Sequence, residues 1–140
     1  APPGPQRLHE ALEHVQPSTA VLIGADPPFT TAAEIQRRTL ELVKYVLNQL
    51  DGRTTIEALA GAIGHTPAMV RCILELSEAS GDFAVEWAQD GGILLSQRHG
   101  VRTRDTLDER AALEASVAEA AAYRAYFRRG SASHLLGWET

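Results

Sequence analysis

The clearest periodic segment of the chain runs from residue 31 to residue 50. Thr31 and Glu34 stand three positions apart, the spacing of a capping box that satisfies the first free amides of a helix. Asp51 and Gly52 follow, and glycine readily forms the left-handed turn that ends a helix. The pattern therefore predicts a long amphipathic helix. Its apolar side comprises Ile35, Thr39, Leu42, Val43, Val46, Leu47 and Leu50.

Two more helices are expected next, separated by a three-residue turn. Residues 54–57 offer a second capping box, and Gly64 is placed to end the first of these helices. Thr66 suits the N-cap of the following helix, Pro67 suits its first position, and Gly81 ends it. The expected buried sides are Ile56, Leu59, Ala60 and Ile63, and then Met69, Val70, Ile73, Leu74, Leu76 and Ser77.

A β-hairpin is predicted after Gly81. Residues 83–87 alternate between apolar and polar side chains, residues 89–92 form a turn-rich cluster, and residues 93–96 read as the returning strand. The resulting order is a long helix, a short helix, a three-residue turn, a longer helix and a hairpin.

The segments before residue 31 are less regular. Residues 1–5 contain three prolines and are expected to form a flexible leader. Residues 6–16 predict a short helix with Leu8, Leu12 and Val15 on one face, ended by a proline. The apolar run at residues 20–23 fits either a strand or an anchored segment, and the pattern does not decide between them.

After residue 104 the chain predicts one long helix and a tail. Thr106 and Glu109 form a third candidate capping box, and an alanine-rich stretch continues to Arg129. Gly130 ends this helix, and residues 131–140 are expected to be a tail. The apolar side of the helix could pack against its own domain or pair with a second copy of the chain. The candidate self-association residues are Leu113, Val117, Ala121 and Phe127.

Composition limits the class of protein. The chain has 140 residues, 13 basic and 18 acidic side chains, a net charge of −5 and one cysteine, Cys72. This length suffices for one core without metal or disulfide, and a single cysteine excludes an internal disulfide and suits a reducing compartment. Because no apolar run approaches the length of a bilayer and no signal-like start is evident, we expect a soluble, cytoplasmic protein without membrane contact.

The stretch from Leu47 to Leu95 resembles the winged helix-turn-helix superfamily. The resemblance lies in the segments at residues 47–52, 55–60, 64–71 and 80–83. It implies a mainly α fold with a small β-hairpin: a winged helix-turn-helix core, an N-terminal segment and a long C-terminal helix. The expected divisions are a leader and short segment at 1–30, the winged helix at 31–97, a basic linker at 98–104, a helix at 105–130 and a tail at 131–140.

The resemblance also implies a recognition helix at residues 67–80 and a wing at residues 83–96. The positions expected to face a DNA groove are Thr66, Ala68, Arg71, Cys72, Glu75 and Ala79. Of these, Arg71 is the one that makes favoured contacts with bases or phosphates. Between residues 54 and 97, Arg71 stands alone against six acidic residues. Such a surface works against a polyanion.

The segment at residues 98–104 favours nucleic acid instead. It carries three arginines and no acidic residue, directly after the second predicted strand. The competing interpretation is that these arginines are simply solvated. The candidate nucleic-acid contacts are Thr66, Arg71, Arg98, Arg102 and Arg104.

Catalytic and metal-binding chemistry is weakly represented. His65 and Cys72 are two candidate ligands without a third nearby, which is too few for a zinc site. Ser131, Ser133 and His134 are close only in sequence, which does not build a triad. No nucleophile, base and electrophile-binding group come together in the pattern. We therefore expect a non-enzymatic protein without a metal or cofactor.

Two functions fit these patterns. The first is a regulatory or scaffold module that acts through protein–protein contacts, including a homodimer. The second is a DNA-binding transcriptional regulator that uses the third helix of the core and the basic segment after the hairpin. A peptide-recognition domain is a third interpretation, and it requires an exposed strand edge that the sequence does not reveal.

Overall fold

The computed structural model describes residues 4–23, 25–98 and 106–136. The described chain is mainly helical with one small antiparallel sheet, as the sequence predicted for its fold class. It divides into two compact units, unit 1 (Ala1–Asp26 and Glu119–Thr140) and unit 2 (Pro27–Ala118). Its helices are α1 (Pro5–Val15), α2 (Ala32–Gln49), α3 (Ile56–Ile63), α4 (Pro67–Ser80), α5 (Leu107–Arg129) and α6 (Ala132–Leu136). Its strands are β1 (Arg53–Thr55), β2 (Phe83–Trp87) and β3 (Gly92–Gln97).

The predicted helix starts at Thr31 and Thr66 are confirmed. The amide of Glu34 donates to Thr31 Oγ1 at 3.3 Å, and the amide of Thr31 donates to Glu34 Oε2 at 3.3 Å, which closes the capping box of α2. The Thr31 hydroxyl, which donates to Glu34 Oε2 at 2.9 Å, and the Thr31 amide lower the pKa of the Glu34 carboxyl below its ordinary value. Thr66 caps α4 through its hydroxyl, as predicted. At α3 the N-cap is Thr55 rather than Thr54, the first residue of the expected capping box, and the Thr55 hydroxyl accepts the amide of Ala58 at 3.1 Å.

The sheet has the order β1-β3-β2 with both pairings antiparallel. The hairpin of β2 and β3 was predicted, whereas β1 was missed because three residues are too few to show alternation. Gly52 explains how β1 reaches β3. It has a φ of +77°, and a Cβ there would lie 2.1 Å from the carbonyl oxygen of Leu95, whose amide donates to the Gly52 carbonyl at 2.8 Å. Only glycine allows this approach.

The core of unit 2 is centred on α4. Seven of the 14 residues of this helix are buried, and α2, α3 and β2 pack around it. Ile73 and Leu74 are fully covered, with Val43 of α2, Leu59 of α3 and the strand residues Phe83 and Leu95 completing the core. Ala79, which we expected to face a DNA groove, is also buried, because β2 turns back along the end of α4.

Unit 1 contains α1, α6 and the C-terminal part of α5. The helix predicted at residues 6–16 is confirmed, but Val15 is largely exposed rather than part of the apolar face. The sequence left open whether residues 20–23 form a strand or an anchored segment. Val21, Leu22 and Ile23 do not lie in a strand; Val21 and Ile23 are exposed, and Leu22 is half-buried. A short helix, α6, forms where we expected a tail, and its Leu135 is buried.

Candidate functional site

The surface that the sequence singled out is the outward side of α4. Thr66 lies at the start of this helix, half-buried, and its hydroxyl oxygen accepts the amide of Met69 at 3.2 Å. Cys72 Sγ lies 3.8 Å from Ser116 Oγ of α5, so part of this side is covered by the chain itself. Of the six positions expected to face a DNA groove, Ala68, Arg71 and Glu75 are then the ones that remain accessible.

Arg71 is held by neighbours on its own surface. Its guanidinium carbon lies 4.2 Å from the centroid of the Trp87 ring, a cation–π geometry. Its Nη1 atom is also 3.6 Å from Glu75 Oε1, one helical turn along α4. The charge of Arg71 is therefore partly balanced inside the unit. Sequence reasoning missed Trp87, although the alternation of β2 places it on the same face as the buried Phe83 and Val85.

The turn of the hairpin is acidic. Asp90 is exposed, and its Oδ1 accepts the amide of Gly92 at 3.0 Å. Glu57 of α3 lies beside the same turn, because a Cβ placed on Gly91 would be 3.4 Å from Glu57 Oε2. Two carboxylates therefore stand near the tip of the hairpin, where a phosphate backbone would be repelled.

The free side of β2 bears on peptide recognition by strand addition. β2 is an edge strand, because β3 is its sole neighbour in the described sheet. The amide of Val85, in the middle of β2, donates to Glu78 Oε1 of α4 at 3.1 Å. A carboxylate thus occupies one of the donors that an added strand would need, a common way of protecting sheet edges.

A different surface opens beside α2. A groove of about 430 Å³, which we call the α2 groove, runs between this helix and the sheet. A shallower depression of about 310 Å³ adjoins it along α2 and shares Leu40 and Lys44 with it. The α2 groove is lined by Leu40, Val43, Lys44, Leu47, Asp82, Phe83, Gln97 and Arg98.

The α2 groove brings basic side chains together. Lys44 and Arg98 line it, and Arg37 lines the adjoining depression. Neither Lys44 nor Arg98 has an ion pair with any carboxylate in the described part of the chain. Arg98 is thus one predicted nucleic-acid contact that lies on an open surface, whereas Arg102 and Arg104 lie outside the described residues.

The candidate self-association residues of α5 have different environments. Leu113 and Phe127 are buried within the single chain, and Val117 is half-buried. Ala121 is exposed. The sequence left open whether this helix packs against its own chain or pairs with a second copy. Packing against its own chain accounts for the burial of Leu113 and Phe127, the two largest apolar side chains of the set.

Unit 1 has its own charged cluster, on the C-terminal part of α5. Arg128 Nη2 lies 2.5 Å from Asp26 Oδ2, and the buried Arg124 lies 3.6 Å from the other oxygen of the same carboxylate. The hydrogen bond from Arg128 is the main reason why the pKa of Asp26 is lowered. These two arginines therefore fasten residue 26 to α5.

The described residues offer neither a cluster suited to a metal ion nor a helix suited to cross a membrane. Within them, no group of three or more His, Cys, Asp and Glu side chains is arranged to hold a metal ion. His65 instead has its Nε2 atom 2.9 Å from the carbonyl oxygen of Phe29, which ties the start of α4 to the segment before α2. No helix in these parts of the chain is both long and apolar enough to cross a membrane.

Comparison of the chain with protein-family models, with curated proteins and with solved structures gave no match in any of the three.

Proposed function

We propose that residues 31–97 form a winged helix-turn-helix module that acts through protein–protein contacts and performs no catalysis. The order of elements in unit 2 supports this fold: a long helix, a short helix, a three-residue turn, a longer helix and a hairpin. The partner is another protein or a second copy of the chain.

The observation that carries the proposal is the environment of Arg71. A helix that reads DNA needs basic side chains free to reach bases and phosphates. Arg71 is the sole basic residue between residues 54 and 97, and it lies against Trp87 and Glu75. Freeing it for DNA would cost both contacts, and the carboxylates of Glu57 and Asp90 near the hairpin tip would still oppose a polyanion.

The test is binding of labelled random-sequence duplex DNA at low and moderate salt, with the solution mass measured in parallel. Arg71→Ala is the decisive variant, and Arg53→Ala on β1 is its control because it removes the same charge from another exposed position. We expect Arg71→Ala to leave any DNA affinity within about twofold of that of Arg53→Ala. A loss of tenfold or more confined to Arg71→Ala would overturn the proposal.

A DNA-binding regulator is the second candidate, and one observation favours it. Arg37, Lys44 and Arg98 lie along one side of α2, so a basic surface exists away from α4. On this hypothesis DNA affinity falls steeply with salt, and Lys44→Ala combined with Arg98→Ala weakens binding to all sequences alike. Absence of DNA binding at low salt would reject it.

A further inference from the structure

We infer that the α2 groove is the docking site for an acidic amphipathic helix of a partner protein. This inference rests on the proposed function, because it specifies the surface and the partner chemistry of a protein–protein contact. It is carried by the shape of the groove, by the spacing of its apolar residues and by its charge.

The floor of the groove has the spacing of a helix-binding seam. Leu40 and Leu47 stand seven residues apart on α2, and both are half-buried although they are large and apolar. The buried side chains of Val43 and Phe83 close the floor between them. Ala33 and Gln36, which line the adjoining depression, continue the same three- and four-residue spacing toward the start of α2.

The length of this seam defines the occupant. From Ala33 to Leu47 the α2 axis rises about 21 Å, at 1.5 Å per residue, which matches four turns of a partner helix. Recognition of amphipathic helices in apolar grooves uses anchors at this i, i+3, i+4 and i+7 spacing. An extended peptide would instead need a free strand edge, and Glu78 already occupies the amide of Val85 on β2.

The charge of the rim selects an acidic partner. Arg37, Lys44 and Arg98 surround the seam, while Asp82 is the carboxylate that lines the groove itself. Glu41 borders the adjoining depression, but its Oε2 atom accepts a 2.7 Å hydrogen bond from Arg38. The rim is therefore locally positive in a chain whose net charge is −5. Acidic residues flanking the apolar anchors of a partner helix would complement it.

The floor distinguishes a helix from nucleic acid. A phosphate backbone would use the three basic side chains but would gain little from Leu40 and Leu47, because its contacts are charged and polar. An amphipathic helix would use both the charges and the apolar floor. A substitution in the floor therefore separates the two classes of partner.

The experiment uses the full chain and two labelled helical peptides of about 18 residues, or five turns. Both peptides carry leucine at the a and d positions of a heptad; one has glutamate at the flanking e and g positions, and the other has lysine there. Fluorescence anisotropy measures their binding. We expect the glutamate peptide to bind at least about tenfold more tightly than the lysine peptide, with an advantage that shrinks as salt is raised.

Two variants locate the binding. Lys44→Glu combined with Arg98→Glu should weaken the glutamate peptide about tenfold or more, whereas the matched charge reversal Arg53→Glu on β1 should change its affinity less than about twofold. Leu47→Gln should also weaken it, whereas Tyr45→Gln, on the exposed side of α2, should not. Circular dichroism and thermal unfolding confirm that each variant is folded.

Three outcomes would overturn the inference. They are equal binding of the two peptides, no binding of the glutamate peptide, and binding of random duplex DNA that needs Lys44 and Arg98 but ignores Leu47→Gln. The first two outcomes remove the helix-docking role of the α2 groove without touching the proposed function, whereas the third would also favour the DNA-binding regulator. Failure of the proposed function at α4 has a separate signature. That signature is a loss of DNA affinity specific to Arg71→Ala.

Discussion

The two longest helices that lie wholly within unit 2 use their side chains in opposite ways. α4 has seven buried residues among 14. Its N-cap Thr66 accepts the amide of Met69, its Arg71 lies against the Trp87 ring, and its Glu78 accepts the amide of Val85. α2 has four buried residues among 18. It leaves Leu40, Leu47 and Lys44 along an open groove.

This difference shows that position in the order of elements does not by itself determine which helix surface is open. α4 follows the three-residue turn, which is where the winged-helix resemblance puts the recognition helix. It is also the helix around which α2, α3 and β2 pack, and its Arg71 and Glu78 contact residues of the hairpin. α2 has a smaller fraction of its residues buried than α4.

The largest expected effect compares leucines of the two helices. Leu74→Ala in α4 should lower the free energy of unfolding by about 2–5 kcal/mol, because a fully buried side chain leaves a cavity. Leu47→Ala in α2 should cost about 1 kcal/mol or less, because Leu47 is already partly in contact with water. Urea unfolding of both variants measures the difference. Equal losses would show that the α2 groove is part of the core rather than an open surface.

A smaller effect is expected for the arginines. Arg71→Ala should destabilise the protein by about 0.5–1 kcal/mol through the loss of its contact with Trp87, since cation–π pairs at exposed sites contribute that much. Arg37→Ala, on α2, should change stability by less than about 0.5 kcal/mol. A Trp138→Phe background leaves Trp87 as the single tryptophan, so its emission should respond to Arg71→Ala and not to Arg37→Ala. The opposite response would contradict the assigned role of Arg71.

The smallest expected effect concerns the capping box of Thr31 and Glu34 at the start of α2. The folded-state pKa of Glu34 lies below its ordinary value of 4.5, so its carboxylate stabilises the fold above that pH. This contribution is lost as the pH falls through the folded-state pKa. Glu34→Gln should therefore lower the Tm at neutral pH, and the gap to the unsubstituted protein should narrow on acidification below about pH 4.

The control for this prediction is Thr31→Ala, which removes the partner that lowers the pKa of Glu34. In that background the pH dependence of the Glu34→Gln effect should be reduced, because the two residues act as a pair. An unchanged pH dependence would assign the pKa shift of Glu34 to a source other than the capping box.

The sequence by itself determined the local features of this protein. The capping box of Thr31 and Glu34, the N-cap at Thr66, the proline at position 67 and the hairpin of β2 and β3 were all predicted. Each depends on hydrogen bonds or on alternation within a few residues, so the pattern of residue types carries the information.

Only the tertiary structure decided which helix surfaces remain open. The stacking of Arg71 on Trp87 and the contact of Cys72 with Ser116 join residues that are separated along the chain. The burial of Ala79 also depends on a neighbouring element. The α2 groove likewise needs α2 and residues 82–98 side by side. Helical periodicity shows which residues share a face of α2 or α4, but the neighbours that cover that face are set by how distant elements pack.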